Sequence, residues 1–149
     1  MPVFIKPHRF DPYAALVEYQ KGLRAGSYGA VVSFVGVMRD FNQGGEVSTM
    51  TLEYYPGMTE KQIERSCQMA LEKYSMDDAL VIHRVGEITP DEPIVLVAVW
   101  SAHRSAAFDG CRCIINDLKQ HAPFWKSEQG QQGTRWVATN TPDTTKNDT

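Results

Sequence analysis

Cysteine is scarce in this chain, and no apolar run comes near membrane-spanning length. Only Cys67, Cys111 and Cys113 occur among 149 residues, an odd and low count that excludes a disulfide-stapled scaffold. A bilayer-spanning helix needs about 18 or more consecutive apolar residues. The longest run here, Ile94 to Trp100, is the length of one strand. The opening MPVFIKPHRF has no basic segment followed by an apolar stretch, so no secretory leader is expected. The consistent expectation is a cytoplasmic protein with reduced thiols and no membrane association.

A basic excess is missing too. The 15 Lys+Arg are outnumbered by 18 Asp+Glu, for a formal net charge of −3, which argues against bulk electrostatic binding of nucleic acid. The sequence contains no G-x-G-x-x-G, Walker loop, H-E-x-x-H or G-x-S-x-G, which removes the common nucleotide, zinc-protease and hydrolase signatures. No metal site is expected. Cys111-x-Cys113 in a helical pattern points its thiols in different directions, and His83 on an apolar strand has no second ligand at suitable spacing. Those residues read as small buried hydrophobes and as a core or interface histidine.

What is present is ordinary globular composition, 42% hydrophobic and 22% charged, in a length that suits one domain with a real core. Val3 to Ile5 reads as a strand. Asp11-Pro12 opens a helix whose stripe is Ala15, Leu16, Tyr19 and Leu23, with Gly26 just past its end. Residues 29–36, apolar on both faces, read as a central strand, followed by a polar loop through Gly44-Gly45. Val47 to Tyr55 is a strand. Thr59 to Gln62 reads as a capping box that starts a helix through Tyr74. Ala79 to Val85 and Pro93 to Trp100 are strands around a turn at Thr89-Pro-Asp-Glu, the second fully apolar. A third helix runs from Ser105 to Gln120 with Phe108, Cys111, Ile115 and Leu118 inward, and Pro123 bars its continuation. Phe124 to Glu128 and Thr134 to Val137 complete the strands. The expected fold is α+β, one domain over residues 1–137, with a polar tail at 138–149.

Basic residues collect at element ends. Arg39 follows the 29–36 strand, His103 and Arg104 precede the third helix, Lys119 ends it, and Lys126 follows Phe124-Trp125. A helix N-terminus with an Arg fork suits a phosphate or other anion; the competing reading is that Ser101 caps the helix while Arg104 stays solvated. Lys119, at the edge of the apolar stripe, can snorkel to water or sit desolvated as an amine of lowered pKa, able to act as base or nucleophile. Lys126 carries the same two readings. Together these cations suit a small phosphate-bearing molecule.

At these residues the chain resembles the catalytic (large) subunit of molybdopterin synthase. The matching stretches are GAVVSFVGVMRD at 29–40, LEYYPGMTEKQI at 52–63, VIHRVGEI at 81–88, VWSAHRSAAF at 99–108 and DLKQHAPFWKSE at 117–128, closed by Gly133-Thr-Arg-Trp-Val. The resemblance covers residues 2–137. It implies a hammerhead-like α+β fold with mixed and antiparallel sheets packed against about three helices.

The implied reaction converts cyclic pyranopterin monophosphate (precursor Z) to molybdopterin by installing two dithiolene sulfurs. The implied sulfur source is a thiocarboxylate on the C-terminal glycine of a small ubiquitin-like partner. Two large subunits would form a homodimer, and a heterotetramer with that partner. Residue by residue, the resemblance gives Arg39, His103 and Arg104 to the pterin phosphate, and Lys119 and Lys126 to catalysis, with Lys119 at the reacting centre. Val37, Met38, Ser127 and Glu128 match pocket-lining positions. Some relatives carry Lys at the position of Val37 and a basic residue at that of Ser127, so this chain has less local positive charge there. Opening a cyclic phosphate and expelling oxygen calls for cations, and resolving an acyl intermediate with water calls for a base. Neither a cofactor nor a metal is implied. The rival reading is a non-catalytic homo-oligomeric domain that binds a phosphorylated small molecule, which would not need Lys119 in particular.

Overall fold

The apolar run at the end of β7 (Pro93–Ser101) lies in the interior of a four-stranded sheet, and the rest of the molecule is arranged around it. The computed structural model describes residues 2–42, 45–130 and 133–137. Within them the order is β1 (Val3–Lys6), α1 (Pro12–Gln20), β2 (Ala30–Val37), β3 (Phe41–Asn42), β4 (Gly45–Tyr54), α2 (Met58–Tyr74) and β5 (Asp78–Arg84). There follow β6 (Gly86–Ile88), β7, α3 (Arg104–His121), β8 (Phe124–Gly130) and β9 (Gly133–Val137). The fold is α+β with three helices, as the sequence leads one to expect. The 138–149 tail lies outside the described residues.

The first sheet runs β1-β5-β7-β2, with β1 parallel to β5 and the remaining pairs antiparallel. Both faces are covered, which is why β5 and β7 are apolar at successive positions rather than alternating. Ala79, Val81, Val95, Val97 and Val99 face α2 and α3, where Ile63, Cys67, Ile114 and Leu118 meet them. Leu80, Ile82, Leu96, Ala98 and Trp100 face α1 and pack against Ala15, Leu16, Tyr19 and Leu23. The second sheet runs β3-β4-β8-β9, with β6 also paired to β4. Met38, Val47, Met50, Leu52 and Ile88 form its core, closed by Ile94.

Several local expectations change. β2 is an edge strand, not a central one: Val32 and Val35 pack into the cores on opposite faces, which gives the two-sided apolar pattern, while Val31 and Phe34 are 39% and 38% exposed. Asp11 caps α1 as read, its Oδ1 accepting from Tyr13 N and Ala14 N, but the helix stops at Gln20, well before Gly26. The polar loop after β2 contains β3, a short pairing with the start of β4.

α2 begins at Met58 behind Gly57, and Glu60 returns to the Gly57 N–H. Thr59 is therefore not the cap. Its buried hydroxyl accepts from Tyr55 N at 2.9 Å and donates to the Pro123 carbonyl at 3.0 Å. In α3 the buried face is Ala107, Cys111, Ile114, Ile115 and Leu118, and Phe108, expected inward, is 61% exposed. Gly110 lets this helix come close to the chain after α2, since a Cβ there would sit 1.9 Å from Met76 Sδ.

Candidate active site

Between β2, the outer face of α3 and the second sheet lies an open cleft of about 1510 Å³. Its walls are partly apolar, with Phe34, Met50 and Phe108 among them, and its polar groups are the cations Arg39, Arg112, Lys119 and Lys126 against the carboxylates Asp109 and Glu128. Positive charge thus predominates locally in a chain whose total is negative.

Each side chain arrives there for a structural reason. A Cβ on Gly36 would meet Val95 Cγ1 at 2.8 Å, so glycine lets β2 lie close on β7, and the register slips at the next residue, Val37. Met38 is pinned to the β6–β7 turn by its N–H to the Glu92 carbonyl and by Asp91 N–H to its own carbonyl, both 3.0 Å. Its side chain is buried, so Arg39 emerges beside it, exposed, with its guanidinium 5.0 Å from the Phe41 ring centre. Val37, Met38 and Arg39 all line the cleft.

Lys119 lies one position past the buried Leu118 near the end of α3, and Lys126 and Glu128 point from β8 onto the same side. Lys126 Nζ is 3.8 Å from the Glu128 carboxylate, which is almost wholly buried. Burial, and then the charge of Lys126, push the Lys119 pKa down from 10.5 to about 8. A desolvated ammonium facing a like charge shifts toward its neutral form, so about a tenth of the amine is free at pH 7, far more than for an ordinary lysine.

Ser127 is not in that wall. Strand alternation turns it, with Trp125, to the opposite face of β8. His103 and Arg104 are also outside the cleft: both are exposed at the start of α3, and fifteen residues of helix rise place Arg104 about 22 Å along the axis from Lys119. His103 is the N-cap residue without a side-chain cap bond, and Ser101 Oγ only accepts a long 3.4 Å bond from His103 N. One chain therefore gathers Val37, Met38, Arg39, Lys119, Lys126 and Glu128, and leaves Ser127, His103 and Arg104 elsewhere.

Among the site residues not singled out from sequence are Arg112 and Phe34. Arg112 shares a helix face with Ile115 and Lys119, at spacings of three and seven, a signal that helical phase offered. Phe34 faces the cleft because β2 is an edge. Among the described residues no group of three His, Cys, Asp or Glu could hold a metal ion, and no helix is long and apolar enough to cross a membrane.

The sequence and fold match known proteins closely. The sequence pattern of the MoaE protein family matches residues 6–121. The chain is 55% identical over 117 residues to the molybdopterin synthase catalytic subunit of Ralstonia nicotianae, covering 77% of this chain and 66% of that one. It is 45% identical over 139 residues to the protein of the same description in Pseudomonas aeruginosa, covering 92% and 90%. The solved structure of a molybdopterin biosynthesis MoaE protein from Burkholderia ambifaria superposes with a TM-score of 0.79 at 38% identity, covering 95% of this chain and 92% of that one.

Proposed function

The chain belongs to the MoaE protein family, and from that membership we propose that it is the catalytic subunit of a molybdopterin synthase, acting in molybdenum cofactor biosynthesis. The observation that carries this reading is the lysine pair at the end of α3 and on β8, one member of which has its pKa lowered to about 8 inside a cationic cleft. The substrate is cyclic pyranopterin monophosphate, and the sulfur is the thiocarboxylate at the C-terminal glycine of a small ubiquitin-like partner. A cleft of about 1510 Å³ exceeds the roughly 300–1,000 Å³ usual for a small molecule alone. That leaves room for an extended peptide tail beside the pterin.

In this reading Arg39 and Lys126 offset the negative charge that develops as the cyclic phosphate opens and oxygen leaves. The thiocarboxylate sulfur attacks as an anion, and Lys119, as free amine, takes the proton from the water that then resolves the acyl intermediate, releasing the tail as carboxylate and leaving the sulfur on the pterin. Glu128 orients Lys126. Val37 and Met38 shape the wall where the tail enters. Ser127, on the opposite face of β8, takes no part in this scheme.

His103 and Arg104 bind phosphate in this scheme only when a second copy of the chain delivers them, because their own cleft lies out of their reach. The active form is accordingly a homodimer, joined by two small subunits into a heterotetramer. Three free cysteines, two of them buried, suit a reducing compartment, and the cytoplasm is the proposed site of action.

The direct test supplies the purified protein with precursor Z and a thiocarboxylated partner. Formation of the dithiolene product supports the assignment. Binding of the phosphorylated pterin with no turnover would favour a non-catalytic binding domain instead.

A further inference from the structure

His83 lies on β5 in phase with Ala79 and Val81, whose side chains belong to the core under α2 and α3. Its ring is 3% exposed and stacks on Phe124, with centroids 4.0 Å apart and planes 20° apart. Nδ1 is 2.8 Å from the Arg84 carbonyl oxygen. A carbonyl only accepts, so Nδ1 carries the hydrogen and the ring presents Nε2 as a lone-pair acceptor. Arg84 is itself fixed: its guanidinium pairs with Glu92 and donates to the Glu87 carbonyl at 2.8 Å. Burial, and more weakly the charge of Lys119, hold the His83 pKa down at about 3 against the opposing backbone hydrogen bond. The ring is therefore neutral at pH 7.

His83 also borders a small second cavity, about 40 Å³, which it shares with Lys119, Lys126, Leu118 and Phe124. That is space for one water. Behind the lysine pair, then, the described residues lining this cavity place a fixed neutral acceptor; Glu128, 3.8 Å from Lys126, lines the main cleft. A carboxylate at this position would lock Lys119 as ammonium, and a hydrocarbon would leave nothing to orient it.

We propose that His83 is a positioning residue for Lys119, its Nε2 accepting a hydrogen bond from the lysine nitrogen directly or through one water in the shared cavity. A neutral amine that donates one N–H backwards leaves its lone pair for the cleft. The functional consequence rests on the assignment of Lys119 to the reacting centre; the contact itself does not.

The test titrates Lys119 without turnover. Acetic anhydride labelling of the full chain from about pH 6 to 11, resolved by peptide mass spectrometry, reads the amine's midpoint. Wild type should label Lys119 with a midpoint near 8. His83→Phe keeps a ring against Phe124 and removes the acceptor, so the ammonium loses its partner and the midpoint falls by about half a pH unit or more. His83→Gln restores an acceptor and the wild-type midpoint. An unchanged midpoint in His83→Phe, or an equal fall in His83→Gln, overturns the proposal.

If His83→Phe does not fold, imidazole ¹⁵N spectra of wild type and Lys119→Met carry the same question. The Nε2 resonance should move downfield when the donor is lost, and an unmoved resonance overturns the contact. A fully active Lys119→Ala would refute the catalytic assignment while leaving these titrations intact, so the two ideas fail separately.

Discussion

Lys119 is where stability and chemistry pull in opposite directions. Its pKa is about 8 in the fold because of burial and then Lys126, and returns to its ordinary value in the unfolded chain. Between pH 8 and about 10.5 the unfolded state therefore binds more protons, and stability rises with pH across that window. Below it both states are protonated, and the full cost of the desolvated ammonium is present. Lys119→Met should raise the melting temperature at pH 7 and lose that advantage above about pH 10.5, which thermal melts at the two pH values check. Arg39→Ala should weaken binding of the phosphorylated pterin by about 1.5–3 kcal/mol, one charge-assisted hydrogen bond, with the melting temperature nearly unchanged because the residue is exposed. Calorimetric titration reads both affinities. At this scale the sequence spoke through residue type and phase. Lys119 sits at the edge of an apolar stripe, and helical phase puts Arg112 on the same side of α3, but nothing in sequence announces that His83, on β5, borders the cavity behind Lys119, because that relation is made by packing between distant segments.

Elements with a single strong signal were legible. Asp11-Pro12 starts α1, the apolar run from Ile94 to Trp100 is the buried β7, and the turn at Thr89 falls between β6 and β7. Signals that two physical situations share were not. An apolar pattern on both faces marks a covered strand, yet β2 is covered on its faces and open along its hydrogen-bonding edge. Thr59 looks like a cap by its neighbours, but its hydroxyl is engaged by segments on either side of the fold, Tyr55 and Pro123. That bridge ties the β4–α2 corner to the α3–β8 turn carrying both lysines. Thr59→Val, similar in shape, strands a buried N–H and a carbonyl, and should cost about 1–3 kcal/mol. A urea midpoint lowered at unchanged slope is the expected result, with a midpoint equal to wild type counting against the bridge.

At the scale of the whole molecule, the separation of about 22 Å between Arg104 and Lys119 along α3 means that, in the proposed scheme, Arg104 serves the cleft only from a second copy of the chain. Light scattering should give a dimer at micromolar concentration. Mixing Lys119→Ala with Arg104→Ala chains should then restore about a quarter of wild-type activity at limiting substrate, because half the dimers are mixed and each has one intact site. A site made within one chain restores none. Sequence carried the family pattern for these residues but could not say which chain supplies them, since that is a property of the dimer's geometry. The central claim is that Lys119 reacts as a free amine in this cleft. Product formation by wild type, Lys119→Ala and Lys119→Arg, measured side by side with precursor Z and a thiocarboxylated partner, tests it most directly. The account predicts that the Ala variant loses most turnover and that Arg, charged but permanently protonated, does not rescue it. Substantial activity in Lys119→Arg would make the residue an electrostatic clamp, and near-full activity in Lys119→Ala would remove it from the chemistry.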